Sequence, residues 1–254
     1  EVEQGDCVVA LDGAKGAAST GHDEYWSIPY HDALVKLRDA GGNLAFFGAN
    51  TCYWRVRIPD SGSQAGQLVT CYKSAALDPV KNSPQTTVRW RDQPYPRPEN
   101  TITGQLYDAY PASGALKIRD PDFFLFEGTG VTEGSTFPGL IGPETDRYYD
   151  LPTTPRPLQI PALSEFKSHG KTTWSTVTYY TTSSGAGVFT TGTMGWVRSL
   201  PRTSKIKGIP DETTAFAKQV TINVFKQMAQ GPLGDAHPAT NDSADVKLPT
   251  TNTS

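Results

Sequence analysis

Ser27-Ile28-Pro29-Tyr30-His31-Asp32-Ala33-Leu34-Val35-Lys36-Leu37-Arg38-Asp39-Ala40-Gly41-Gly42-Asn43-Leu44-Ala45-Phe46-Phe47 passes from one period to another, and that change decides the fold. Ser27 is an N-cap type and Pro29 is tolerated in a first helical turn. Tyr30, Leu34 and Leu37 recur at helical spacing until Gly41-Gly42 ends the pattern. The apolar run Leu44–Phe47 then reads as a strand buried in a parallel sheet. Upstream, Cys7-Val8-Val9-Ala10-Leu11 is a second such run, and the small-residue stretch from Gly13 to Thr20 reads as loop. Strand, turn, helix, strand is a βαβ unit, whose loops gather at the carboxyl edge of the sheet, where ligands usually bind. One unit is too little for a parallel sheet, so further strands are expected from upstream sequence or another chain.

From Gln67 to Trp196 the chain changes character. Short β-prone runs, Leu68–Tyr72, Thr86–Trp90, Phe123–Phe126, Thr176–Tyr180 and Gly187–Thr190, are separated by Pro and Gly. The stretch Ser183-Ser184-Gly185-Ala186-Gly187 reads as a hairpin turn. A last helix is expected from Asp211, as N-cap, to about Gln230, with Phe216, Val220 and Val224 on one face and Gly231 as the stop. The chain so divides into a βαβ portion over 1–60, a β-rich elaboration packed on the same domain over 61–200, a C-terminal helix over 201–231 and an extended or disordered tail over 232–254.

The charge balance, 23 Lys plus Arg against 26 Asp plus Glu, offers no basic surface for a phosphate backbone, so nucleic acid is not an expected partner. No apolar stretch approaches the roughly 20 residues of a membrane helix. Glu1-Val2-Glu3-Gln4 has neither an initiator Met nor a signal-peptide pattern, and upstream sequence is expected. The chain reads as soluble, cytoplasmic or exported. Cys7, Cys52 and Cys71 allow one disulfide at most and form no CxxC pair.

Functional groups are densest at Gly21-His22-Asp23-Glu24-Tyr25-Trp26. His22 and Glu24, two apart in an extended segment, project to one side, which suits a metal-ligating carboxylate beside an imidazole base. The same pair also suits backbone partners at a helix start, where an acidic residue complements the dipole. Asn50, after the second strand, can hold a substrate carbonyl or an oxyanion, or can end the strand as an Asx turn. Cys52 lacks a neighbouring His at a nucleophile elbow, which favours an inert buried thiol over a nucleophile.

Taken together, Gly21–Ser27, Asp39–Phe47, Asn50–Trp54, Arg89–Asp92, Pro98–Asn100, Gly142–Arg147, Gly185–Phe189 and Gly192–Trp196 resemble, in collinear order, the C-terminal region of the large (beta) subunit of N,N-dimethylformamidase. The resemblance implies an α/β fold like the class I glutamine amidotransferases, a parallel sheet only partial in this chain, with a large β-rich insertion. It implies a mononuclear ferric iron held by two tyrosinates and a glutamate, an all-oxygen set that suits a hard ion. Glu24 matches that glutamate, and the tyrosines are expected outside this chain segment. His22 matches the catalytic histidine and Asn50 a site asparagine. Lys73 matches a site lysine and Glu144 a second acidic residue; a solvated Lys and a Glu paired with Arg147 are the competing readings. The expected function is hydrolysis of a small amide of the formamide type, by an oligomer or with an additional upstream domain or chain. A non-catalytic structural or binding protein that retains the fold without metal is the alternative.

Overall fold

In the computed structural model, which describes residues 11–200 and 208–249, the chain runs through β1 (Gly16–Thr20), β2 (Tyr25–Ser27), α1 (Ile28–Asp39), β3 (Asn43–Phe47) and β4 (Trp54–Val56). Then come β5 (Leu106–Ala109), β6 (Gly114–Lys117), β7 (Thr136–Ile141) and β8 (Thr145–Arg147). β9 (Leu158–Ser168), β10 (Lys171–Thr181), β11 (Gly187–Thr190) and α2 (Asp211–Met228) complete the long elements. A five-stranded sheet in the order β1-β3-β11-β10-β9 is the frame. β1, β3 and β11 are mutually parallel, whereas β10 is antiparallel to both β11 and β9, so the sheet is mixed rather than parallel. Strands β2 and β4, β5 and β8, and β6 and β7 form three two-stranded sheets around it.

Helix α1 forms where its signals predict. The Ser27 side chain accepts the Tyr30 N–H, Pro29 sits in the first turn, and Gly41, at φ 92°, leads out of the helix. Period-two alternation in β3 then sends Leu44 and Phe46 to the α1 face, with Leu34 and Leu37, and Ala45 and Phe47 to the opposite face, with Phe216, Val220 and Val224 of α2. Both faces of the sheet are covered, which a strand as apolar as β3 requires. Buried Asn43 joins the layers: its Oδ1 accepts the N–H groups of Gly187 and Leu233, and its Nδ2 donates to Gly231 O at 2.7 Å.

Several expectations are corrected. The Cys7–Leu11 run falls largely outside the described residues, and Leu11 lies in a turn. The strand of the βαβ unit is instead Gly16–Thr20, which reads as loop because Gly, Ala and Ser are poor strand formers in isolation. Small residues are needed there: a Cβ on Gly16 would stand 2.6 Å from both Asn43 O and Met228 Cε. Leu68–Tyr72 and Thr86–Trp90 form no strands, only isolated bridges between Arg57 and Thr70 and between Trp54 and Arg89. Phe123–Phe126 ends in a 3-10 turn over Phe124–Phe126, with Leu125 and Phe126 in the core. The expected β10–β11 hairpin is present, with Gly185 at φ 83°. Pro210, not Asp211, precedes α2.

The tail is not extended over its described part. Leu233–Ala236 forms a helical turn with Leu233 buried, and Asp242–Asp245 a 3-10 turn. The Asn241 and Asp242 carboxamide and carboxylate accept the N–H groups of Leu158 and Ile160, and Asp242 also pairs with Arg119. Polar side chains thus satisfy the outer edge of β9, which would otherwise present unpaired donors.

Candidate active site

Two loops leave the carboxyl ends of parallel neighbours, Gly21–Glu24 after β1 and Gly48–Tyr53 after β3, and backbone bonds stitch them together. Gly21 N–H donates to Phe47 O, Cys52 N–H to Asp23 O, and the Tyr53 and Trp54 N–H groups to Glu24 O, all between 2.8 and 3.1 Å. Gly21, at φ 95°, follows β1 directly, which places His22 and Glu24 just beyond the end of the strand. Asp23 braces the first loop by accepting Ser19 Oγ and Tyr30 OH, while burial pushes its carboxyl above the usual range.

These loops, with the residue before β8, bring four predicted side chains together. His22 Nε2 lies 3.4 Å from Glu24 Oε2 and 3.4 Å from Glu144 Oε2, and Asn50 Nδ2 lies 3.5 Å from the same nitrogen. The imidazole is 39% exposed while the two carboxylates are 15% and 17% exposed. A solvent-facing imidazole therefore sits over two sheltered carboxylates. These separations are longer than well-formed hydrogen bonds. Glu144 Oε2 and Asn50 Oδ1 are buried with no hydrogen-bond partner among the described residues, so acceptors are left over at the centre of the cluster.

Lys73 stands apart. Its Nζ donates to Tyr25 OH at 2.8 Å and lies over the rings of Tyr25 and Trp54, at 5.1 and 4.9 Å. The Tyr25 contact, and more weakly Glu24, raise its pKa, so it remains a cation at the rim. Glu144 is not the partner of Arg147: the Arg147 guanidinium bonds Asp108 at 2.8 Å, both fully buried, and packs on Tyr149. Cys52 is fully buried, and burial pushes its thiol well above the ordinary range, which withholds the thiolate a nucleophile needs.

Two residues at this site escape sequence reasoning. Tyr107 of β5 packs in a tilted arrangement against Tyr53, with ring centroids 5.2 Å apart, and burial, then the neighbouring Glu144, push its phenol up. Asp146, opposite Tyr107 in the β5–β8 pair, is fully buried beneath Asn50. Tyr107 sends no signal in sequence. Asp146 does, in the alternation Glu144-Thr145-Asp146.

As donors, the described residues are suited to a hard cation but incomplete: no group of three or more His, Cys, Asp or Glu among them is arranged to hold a metal. Glu24 can offer one carboxylate oxygen to such a cation. A family model described as N,N-dimethylformamidase beta subunit-like, C-terminal, matches the chain over residues 5–211. Comparison with curated proteins gives no match.

Proposed function

The chain belongs to the N,N-dimethylformamidase beta subunit-like family, and from that premise we propose that it carries the proton-transfer centre for hydrolysis of a small amide of the formamide type. The observation that supports this most is the meeting of Glu24, Glu144 and Asn50 at His22 Nε2. The family's enzyme is an iron-dependent amide hydrolase, and its name as a beta subunit implies partner chains.

In this reading His22 Nε2 takes a proton from water as the water oxygen adds to the amide carbonyl carbon. Glu144 and Glu24 stabilise the imidazolium that forms, and the Asn50 amide donates to the oxygen that gains charge. His22 then returns the proton to the amide nitrogen as the C–N bond breaks, so amide and water become carboxylic acid and amine. Ferric iron bound through Glu24 would polarise the carbonyl as a Lewis acid. No step assigned to His22, Asn50 or Glu144 depends on its placement. Lys73, from the rim, would draw anionic product away from the carboxylate pair. The parallel β1-β3-β11 core supports the amidotransferase-like assignment, and β1, with one strand neighbour among the described residues, leaves an edge for an upstream segment or partner chain.

The second reading is a binding protein that keeps the fold without metal. Metal analysis of the protein as isolated, together with amine release from small amides, separates the two. Stoichiometric iron and turnover support the hydrolase; a metal-free, inactive protein that iron and the partner chains fail to restore supports the binding protein. No helix among the described residues is long and apolar enough to cross a membrane.

A further inference from the structure

Strand β8 is short, but its alternation has a consequence for the site. Glu144 and Asp146 are two apart and project to one side, while Arg147 projects to the other, toward Asp108. Glu144 reaches His22, and Asp146 reaches the turn that carries Asn50. Asp146 Oδ1 accepts the Asn50 backbone N–H at 2.7 Å, and the neighbouring Thr51 N–H also favours the charged carboxylate. That turn needs a template, because Asn50 and Cys52 take φ of 56° and 59°, a region that non-glycine residues avoid. The template is itself anchored: Asp146 N–H donates to Gly192 O, and Thr145 bridges to Thr193, both in the segment that follows β11.

We propose that Asp146 is a positioning residue, whose carboxylate clamps the Asn50–Thr51 turn so that the Asn50 amide, His22 and Glu144 keep one fixed arrangement. Its catalytic consequence rests on the amidase reading; the clamp itself does not. A carboxylate can accept both N–H groups, whereas a carboxamide has one oxygen to share between them and presents a donor in place of the second acceptor. Burial pushes the Asp146 carboxyl up to about 7, the Asn50 and Thr51 N–H groups opposing that rise. Glu99 adds to it, Arg91 offsets it, and Tyr107 faces it from β5. The clamp therefore weakens by protonation within an accessible range.

The test follows the Asn50 and Thr51 amide resonances of the intact protein against pH, in the wild type and in Asp146→Asn. The two amides are expected to move together with one midpoint near 7 in the wild type, and to lose that midpoint in the variant while Glu99 and Arg91 remain. Amides that show no such midpoint in the wild type, or keep it in Asp146→Asn, overturn the clamp, and the wild-type titration decides even where the variant does not fold. With amide substrate, the variant is expected to lose kcat on the order of 100-fold at little change in KM, with an altered acid limb of its pH profile. Unchanged kcat and pH profile overturn the positioning role. A wild type without amidase activity counts against the hydrolase reading instead, and the amide titration still decides the clamp.

Discussion

A Cβ placed on Gly48 would stand 1.9 Å from the carbonyl oxygen of Gly21, so the two loops that carry His22 and Asn50 touch backbone to backbone where they leave the sheet. Both glycines are needed, Gly21 for its positive φ and Gly48 for the absence of a side chain. Gly48→Ala is expected to lower stability by about 1–3 kcal/mol, the usual cost of overpacking against a part that cannot yield. Thermal denaturation measures it, and a variant as stable as the wild type contradicts this contact.

Cys52→Ala is expected to leave hydrolysis within about twofold of the wild type and to cost on the order of 1 kcal/mol from the lost buried volume. The thiol is sealed in the core, so its loss touches packing and not chemistry. Abolished turnover in a folded Cys52→Ala protein would restore a cysteine nucleophile.

Asn43→Ala removes one acceptor that serves Gly187 N–H and Leu233 N–H and the donor to Gly231 O. Two buried donors left without partners predict a loss of about 2–4 kcal/mol, read by denaturant unfolding. Hydrogen exchange should quicken first at Gly187 and Leu233; unchanged protection there would disprove the staple.

Asp146 gives stability a pH dependence of definite sign. Its carboxyl is held up at about 7 in the folded chain, against 3.8 as the ordinary value, so the native state binds the proton more tightly than the unfolded state. Its contribution is fully present below about pH 4 and is lost as pH rises to about 7. Unfolding curves taken across this window should show a downward component in the wild type that Asp146→Asn removes. An identical slope in both proteins refutes the assignment.

Legibility in the sequence followed the physics of each element. Helix α1 and strand β3 were legible because cap, period and stop agree over Ser27–Phe47. Strand β1 was not, because its fitness comes from the close approach of β3 and α2 and not from its own residues. Leu68–Tyr72 and Thr86–Trp90 have strand composition but are held by side chains instead: buried Asp78 accepts Thr87 N–H and Arg57, and Thr87 Oγ1 accepts Tyr72 N–H. The polar tail looked unstructured because its Asn and Asp work as edge caps for β9, a use that only the folded partner reveals. At the site, His22 and Glu24 were legible as a local pair. Glu144 came only through family resemblance, since it is far from them in sequence and fold contacts bring it near.

Release of dimethylamine from N,N-dimethylformamide by the protein supplied with ferric iron, compared with His22→Ala, tests the proton-transfer proposal most directly. Turnover is expected in the wild type, with a fall on the order of 100- to 10,000-fold in the variant, the contribution of a positioned general base, at unchanged iron content. Turnover that survives in His22→Ala, or none in the iron-loaded wild-type protein, would contradict the proposal.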